Sequence, residues 1–170
     1  MPPGVSVKHP ELTIEAFKAA LPETGAMLGL DLGTKTIGLA LSDLRRTIAS
    51  PLAVIRRTKF QADLVELRQY IEKHRPVALV LGLPVNMDGT EGPRAQATRG
   101  FARNIARDLD MPIFFWDERL STAAVTRTLI EADASRKRRG EVVDKLAAAY
   151  ILQGVLDRMA RLPKPESRSP

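Results

Sequence analysis

Apolar and polar residues alternate along the first third of the chain in a way that predicts β-strands. Leu28 and Leu30 begin an apolar strand, which a turn at Gly33 and Thr34 ends. The next segment alternates between larger apolar residues and small residues. The larger ones are Ile37, Leu39 and Leu41, and the small ones are Gly38, Ala40 and Ser42. A third strand is expected at 49–55, where Pro51 indicates an edge or a bulge. The pattern therefore predicts three consecutive antiparallel strands.

The rest of the chain changes between helical and strand-like patterns. Apolar residues spaced for one helical face occur in two segments, which contain Phe60, Leu64, Leu67 and Ile71, and then Thr98, Phe101, Ala102, Ile105 and Leu109. Continuous apolar runs at 77–81 and 112–116 predict buried strands. A short helix is expected at 122–131, followed by a longer one with an apolar stripe of Val142, Val143, Leu146, Ala149 and Tyr150. This order predicts an α/β fold, a mixed sheet of three antiparallel and then parallel strands flanked by helices.

Length and composition favour one globular domain with additional segments at its ends. The chain has 170 residues, of which 44% are hydrophobic, enough to bury a full core. Residues 1–24 are predicted to be an N-terminal extension, in which Leu12, Ile14, Phe17 and Leu21 are spaced for a short helix. We expect the main domain to span residues 25–160 and the tail at 161–170 to be disordered.

Charge and cysteine content narrow the class of partner. The chain has 26 Lys and Arg against 20 Asp and Glu, which gives a net charge of +6 and favours a polyanionic partner such as nucleic acid. It has no cysteine, which excludes disulfides and thiolate metal sites and fits a reducing cytoplasm. No segment has the run of about 18 apolar residues that a membrane span needs. We therefore expect a soluble cytoplasmic protein without a membrane partner.

Three acidic positions lie beside apolar structure. Asp31 ends the first strand, Glu118 follows the last strand, and Asp144 lies on the long helix in line with residues of its apolar side. If the fold brings these carboxylates together, their mutual repulsion favours a bound cation, and oxygen ligands favour Mg²⁺ or Mn²⁺. Such a site is typical of phosphodiester hydrolysis. Asp117 is an alternative to Glu118, because neighbouring strand residues point to opposite faces.

Each of these acids also has a purely structural interpretation. Asp31 is able to cap the turn that follows it, and Asp144 is able to pair with Lys145, Arg119 or Arg127. The residues alone leave these alternatives open.

Candidate nucleic-acid-binding residues occur in four places. Gly33 allows a positive φ and a close backbone approach, so that Thr34 and Lys35 are able to converge with Asp31 on a phosphate. A glycine-rich loop at 82–96 precedes a helix N-terminus that favours phosphate oxygens. The full set predicted to bind nucleic acid is Thr34, Lys35, Asn86, Thr90, Arg94, Arg119, Arg136, Lys137, Arg138 and Arg139. The last four are predicted to form a basic loop before Asp144 that contacts the nucleic-acid backbone. The alternative for the 82–96 segment is an ordinary loop with a helix cap, and the alternative for the basic run is a solvated segment without a partner.

Several motifs in a fixed order resemble the RuvX family, also called YqgF. They are LGLDLGTKTIGLALSD, ASPLAVIRR, GLPVNMDGTEGPRA, DERLSTAAV and SRKRRGEVVDKLAAAYILQ, and they span about residues 28–156. The resemblance implies an RNase H-like fold related to the Holliday junction resolvase RuvC, a cytoplasmic location and a nuclease that matures the 5′ end of pre-16S ribosomal RNA.

The same resemblance implies roles for individual residues. Asp31, Glu118 and Asp144 match the positions of the family's catalytic, metal-binding acids. Unlike RuvC, this chain has no glutamate at the end of the 77–81 strand, and Glu118 is its natural replacement. Ser121 stands where the family often has threonine.

Other functions remain open at the level of sequence. The same chemistry on a different substrate would make the protein a DNA junction resolvase, which generally requires a dimer. Whether the chain is a monomer or a homodimer is left open. A third hypothesis is a non-catalytic RNA-binding factor in ribosome assembly. ATP binding through the DxGT turn is disfavoured, because the chain has no room for a second nucleotide-binding domain.

Overall fold

The computed structural model describes residues 12–120 and 136–164. It contains, in chain order, α1 (Ile14–Ala20), β1 (Met27–Leu32), β2 (Thr36–Ser42), β3 (Ala49–Arg56), α2 (Phe60–His74), β4 (Ala78–Leu83), α3 (Pro93–Ala106), β5 (Ile113–Asp117), a 3₁₀ turn (Glu118–Leu120) and α4 (Arg136–Ala160). The short helix predicted at 122–131 lies outside the described residues. Within the described part of the chain, no helix is both long and apolar enough to span a membrane.

The strands form one mixed sheet in the order β3-β2-β1-β4-β5. β1 and β3 are each antiparallel to β2, because tight connections join them in sequence. β4 and β5 then add parallel to β1 and to each other, with α2 and α3 as the crossover connections. Pro51 lies on edge strand β3, opposite a register shift between Leu39 and Ala40. The mixed α/β sheet predicted from the sequence is confirmed.

Alternation along β1 separates the two faces of the sheet. Leu28 and Leu30 pack with α2 and α3, whereas Met27 belongs to the cluster formed with α4. Gly29 lets α4 lie directly on the strand, because a Cβ at this position would be 2.9 Å from the Cβ of Leu152. The sheet is therefore covered on both sides, and α4 is the helix nearest the odd-numbered residues of β1.

The buried face of α4 differs from the predicted stripe. Tyr150 is 38% exposed, whereas the residues buried against the sheet include Val143, Ala147, Ala148, Ile151, Leu152 and Val155. The stripe was wrong at Tyr150, because alanines provide the close contact with the sheet that the larger side chain was expected to make. Ala147, Ala148 and Ile151 of this buried face follow Asp144 by three, four and seven residues and so share its side of the helix.

Helix α1 packs on the same side of the sheet as α4. The Thr13 hydroxyl caps the helix by accepting a hydrogen bond from the Ala16 backbone N–H at 3.1 Å. Phe17 is fully buried, with its ring centroid 5.1 Å from that of Phe114 on β5. Lys18 Nζ donates to the Met159 carbonyl at 3.0 Å. Part of the extension thus contributes directly to the hydrophobic core.

Candidate active site

Asp31 is the fifth residue of β1 and is almost completely buried, with 3% of its surface exposed. It pairs with Gly38 of β2, and the preceding residue, Leu30, pairs with Leu81 of β4. Because Met27 and Gly29 face α4, alternation directs Asp31 toward the same layer. The sheet therefore holds this carboxylate in the interior, one ladder step beyond the Leu30 and Leu81 pair.

Glu118 lies directly after β5, at the start of the 3₁₀ turn. Its Oε1 atom occupies space above Gly82 of β4, and a Cβ built on Gly82 would lie 2.7 Å from it. Gly82 follows Leu81 and is thus beside Asp31 in the parallel ladder. The missing side chain at position 82 leaves the space into which the Glu118 carboxylate extends, next to the strand that carries Asp31.

The structure distinguishes Asp117 from Glu118, which the sequence did not. Trp116 faces α4, so alternation directs Asp117 toward the opposite side of the sheet. There the Asp117 carboxylate accepts hydrogen bonds from the Arg119 side chain, including Nη2 at 2.7 Å. This interaction with Arg119 is the main reason that the pKa of Asp117 lies below its ordinary value. The geometry therefore favours Glu118 as the partner of Asp31.

Asp144 lies in the N-terminal half of α4, and its side chain is outside the described part of the structure. Helical geometry places position 144 on the same face as Ala147, Ala148 and Ile151, which are all buried. Ile151 extends to Gly82, where a built Cβ would lie 2.5 Å from its Cδ1 atom. Position 144 therefore lies about two helical turns before Ile151 on α4. Ile151 in turn approaches Gly82, which lies between Asp31 and Glu118.

The described donors are carboxylates, which are the ligands that Mg²⁺ and Mn²⁺ prefer. Among the residues whose side chains are described, no three His, Cys, Asp or Glu residues form a metal-binding group. Asp144 is not one of the residues whose side chains are described. Asp31 and Glu118 fit a divalent cation in chemistry and in placement on one face of the sheet. Asp144 is a candidate third ligand by its position on α4 alone.

The turn between β1 and β2 differs in one respect from the prediction. Gly33 does not have a positive φ; instead, a Cβ there would lie 3.0 Å from the Thr36 carbonyl oxygen, so glycine serves a close approach. Thr34 and Lys35 are exposed at this turn. Sequence reasoning missed Arg57, whose Nη1 donates to the Gly33 carbonyl at 2.6 Å and thereby fixes the turn.

The glycine-rich loop lies beside Glu118 and encloses part of a cavity of about 310 Å³. Its lining includes Asn86, Met87, Arg94, Glu118 and Arg119. Asn86 Nδ2 donates to the Thr90 hydroxyl at 3.0 Å, so these two predicted ligands also stabilise the loop itself. The candidate phosphate-binding residue Arg94 is on the cavity wall.

The acids of this loop are directed to partners within the protein. Asp88 Oδ1 accepts a hydrogen bond from the Thr90 hydroxyl at 2.6 Å, and this bond is the largest cause of the lowered pKa of Asp88. Glu91 Oε1 accepts one from Arg99 Nε at 2.6 Å. Both negative charges are therefore partly offset before any phosphate approaches.

The basic run was wrongly predicted to be a loop. It forms the first turn of α4, which begins at Arg136 and continues through Gly140. Arginine and lysine are good helix formers, and one glycine is tolerated inside a long helix. The side chains of Arg136, Lys137, Arg138 and Arg139 lie outside the described part of the structure, so their predicted contact with nucleic acid stays a prediction.

Similarity to a solved structure defines the class of fold. RuvC of T. thermophilus, solved in complex with a Holliday junction substrate, superposes with a TM-score of 0.51 at 15% sequence identity. The match covers 81% of this chain and 97% of that one. The mixed sheet between helices is thus the RNase H-like fold of the resolvases, as the family resemblance implied.

Comparison of sequences identifies the family. A family model described as "RuvX: Holliday junction resolvase" matches residues 25–158. Proteins of Paracoccus denitrificans and Paramagnetospirillum magneticum, both named "Putative pre-16S rRNA nuclease", are 62% and 64% identical to this chain over 153 and 148 residues. These alignments cover 90% and 87% of this chain and 97% and 96% of the relatives. The chain belongs to the RuvX family, and the resemblance found in its motifs is confirmed.

Proposed function

We propose that the protein is a metal-dependent endonuclease that processes the 5′ end of pre-16S ribosomal RNA in the cytoplasm. Family membership and the names of relatives more than 60% identical over most of both chains support a nuclease that binds nucleic acid. The observation that carries the proposal is the placement of Asp31 and the Glu118 carboxylate on one face of the sheet, on either side of Gly82.

Asp31, Glu118 and Asp144 would hold Mg²⁺ or Mn²⁺. A divalent cation supplies a nucleophile at neutral pH and stabilises charge on the leaving oxygen in phosphodiester hydrolysis. Asp31 is suited to this role because its rigid, buried strand fixes the carboxylate in advance. Glu118 approaches from the end of β5, across Gly82 of β4, so that the acids converge from different elements.

The cavity beside Glu118 is suited to the RNA backbone. Arg94 on its wall and the N-terminal amides of α3 offer donors to phosphate oxygens. The basic first turn of α4 adds positive charge to the helix that carries Asp144. In this proposal these groups bind and orient the strand, whereas the carboxylates serve cleavage.

The substrate is tested by direct comparison of two nucleic acids. A pre-16S fragment that spans the 5′ cleavage region and a four-way DNA junction are each incubated with the protein in Mg²⁺ and in EDTA. We expect Mg²⁺-dependent cutting of the RNA and little cutting of the junction. Symmetric cutting of the junction alone would favour a resolvase, which is the description of the matched family model. Binding of the RNA without cutting of either substrate would favour the non-catalytic assembly factor.

A further inference from the structure

Arg119 and Asp117 form a compact pair around the residue that separates them. Asp117 accepts hydrogen bonds from Arg119 Nη2 at 2.7 Å and from Arg119 Nε at 3.1 Å. Its Oδ1 atom also accepts the backbone N–H of Arg119 at 2.9 Å. The backbone of Glu118 is therefore enclosed between two residues that are bonded to each other through both main chain and side chain.

The same guanidinium reaches the loop on the far side of the cavity. Arg119 Nη1 lies 3.4 Å from the Met87 carbonyl oxygen. The same Nη1 atom would lie 3.8 Å from a Cβ built on Gly89. Backbone hydrogen bonds also close the loop itself, from Asn86 N to the Thr90 carbonyl at 2.8 Å and from Gly89 N to the Asn86 carbonyl at 2.9 Å. Arg119 thus links the end of β5 to a loop that has backbone hydrogen bonds of its own.

We propose that Asp117 and Arg119 are positioning residues that hold the Glu118 carboxylate over Gly82 and fix the facing loop beside it. This inference rests on the proposed function, because it assigns the pair a task in cleavage. It differs from the sequence prediction that Arg119 binds nucleic acid, since the observed hydrogen bonds direct the guanidinium to protein oxygens.

Preorganisation gives the physical reason for this role. A partly exposed ion pair contributes little to global stability, and the side chains of Arg119 and Asp117 are 34% and 25% exposed. A forked pair with a backbone hydrogen bond nevertheless restricts the few dihedral angles that aim Glu118. Removal of such supporting interactions typically costs about 10–100-fold in metal affinity or activity.

The positioning role and a phosphate-binding role predict opposite results. Loss of a phosphate ligand lowers affinity and reduces the slope of log K against log salt by about one. Loss of a positioning residue lowers the rate of cutting by bound enzyme and leaves that slope unchanged. Moreover, if Arg119 binds phosphate, Asp117→Asn would release it toward the RNA. If Arg119 is a positioning residue, Asp117→Asn would reproduce the effect of Arg119→Gln.

The test uses Arg119→Gln, Asp117→Asn and the double variant. Arg94→Gln on the cavity wall is the comparison that shows the effect of losing a proposed phosphate ligand. Single-turnover cleavage at saturating RNA and RNA affinity at several salt concentrations are measured for each. We expect both single variants to lower the rate by about 10–100-fold, with no further large loss in the double variant and with salt slopes like that of the wild type. Arg94→Gln, which removes a proposed phosphate ligand, should reduce the slope. A reduced slope with an unchanged rate for Arg119→Gln would overturn the inference, as would a normal rate for Asp117→Asn.

Hydrogen exchange separates this inference from the proposed function. Amide exchange of residues 86–90 and 118–120 should become faster in both single variants, while exchange in β1 and β4 stays as in the wild type. Unchanged exchange in the loop would show that the pair does not hold it and would overturn the inference. A wild-type protein that cuts neither nucleic acid would instead refute the proposed function, and the exchange result would still report on the pair.

Discussion

At position 82, the absence of a side chain determines how closely Glu118 approaches β4. A Cβ there would lie 2.7 Å from Glu118 Oε1 and 2.5 Å from Ile151 Cδ1, both of which are distances without room for a methyl group. Both contacted atoms are the ends of flexible side chains, so they are able to move aside. Glycine at this position therefore serves the geometry of the acids more than the stability of the sheet.

We expect Gly82→Ala to lower cleavage by about 10–100-fold, as loss of support for a ligand does. The cost in unfolding free energy should be about 1 kcal/mol, the low end of the usual cost of overpacking, because the contacted side-chain ends are able to move aside. Single-turnover rates and chemical denaturation measure the two effects. Gly100→Ala on α3 is the matched control, because its Cβ would meet nothing closer than Arg103 at 3.6 Å. It should raise stability by about 0.5–1 kcal/mol and leave cleavage unchanged. Equal activity of Gly82→Ala and wild type would contradict this account of Glu118.

Residue-level chemistry was only partly predictable from the sequence. The place of Asp31 near the end of a strand was predictable because a strand and a turn surround it in local sequence. The choice between Asp117 and Glu118 depends on which residue of β5 faces α4, and one residue of uncertainty at a strand end reverses that answer. The importance of Gly82 was missed, since it arises from a contact with Glu118, which is distant in the chain.

At the scale of elements, α1 joins the core mainly through Phe17, with Ile14 packed beside it. Phe17 is fully buried and stacks on Phe114, while its neighbour Lys18 bonds to the end of α4. Phe17→Ala should therefore lower the free energy of unfolding by about 3–5 kcal/mol, the usual cost of a large cavity. Chemical denaturation measures this loss. Glu15→Ala, an exposed change on the same helix, is the control and should cost far less. A loss below about 1 kcal/mol for Phe17→Ala would show that α1 is not part of the core.

The first turn of α4 supplies a second prediction at this scale. Replacing Arg136, Lys137, Arg138 and Arg139 with alanine should preserve the helix, because alanine is the best helix former. RNA affinity should fall, and the salt slope should decrease by about 0.7–0.9 for each phosphate that the variant no longer neutralises. Replacing four exposed basic residues elsewhere, Lys59, Lys73, Arg103 and Arg107, with alanine removes the same number of charges and controls for net charge. An unchanged slope for the fourfold variant would mean that the basic turn is only solvated.

Helix α4 also carries the proposed third acid. Asp144→Asn should lower activity and modestly stabilise the protein in EDTA, because in the proposed site it removes one of three negative charges. It should also abolish most of the thermal stabilisation that Mg²⁺ gives the wild type, since a ligand stabilises only a fold that binds it. Thermal melts with Mg²⁺ and with EDTA measure both effects. A variant that is less stable in EDTA and still responds to Mg²⁺ would make Asp144 a salt-bridge partner.

The long helix shows why element prediction was incomplete. Its existence followed from apolar spacing, but its start did not, since Ser135 and Gly140 resemble loop residues beside the basic run. Its buried face was partly misassigned at Tyr150, because the sheet selects alanines for close contact, as the approach to Gly29 shows. Tertiary packing, which no local pattern contains, determined both features.

At the scale of the whole molecule, the fold brings acids distant in sequence to one face of a single sheet. β1 and β4 are adjacent and parallel although α2 and two further strands separate them in the chain. This crossover places Asp31 beside Gly82, and β5 then delivers Glu118 to the same place. The order of strands and helices was predictable from periodicity and family motifs. The convergence of side chains depended on register, which the sequence pattern does not specify.

The central claim is that these acids form a metal-dependent site for cutting RNA, and Asp31→Asn tests it most directly. Cleavage of a pre-16S fragment in Mg²⁺ is measured under single-turnover conditions, with enough protein to saturate the RNA. Asp108→Asn, which alters an exposed carboxylate paired with Arg68, is the control. We predict that Asp31→Asn binds the RNA within a few-fold of wild type and does not cut it, while Asp108→Asn cuts normally. Cutting by Asp31→Asn at the wild-type rate would contradict the account.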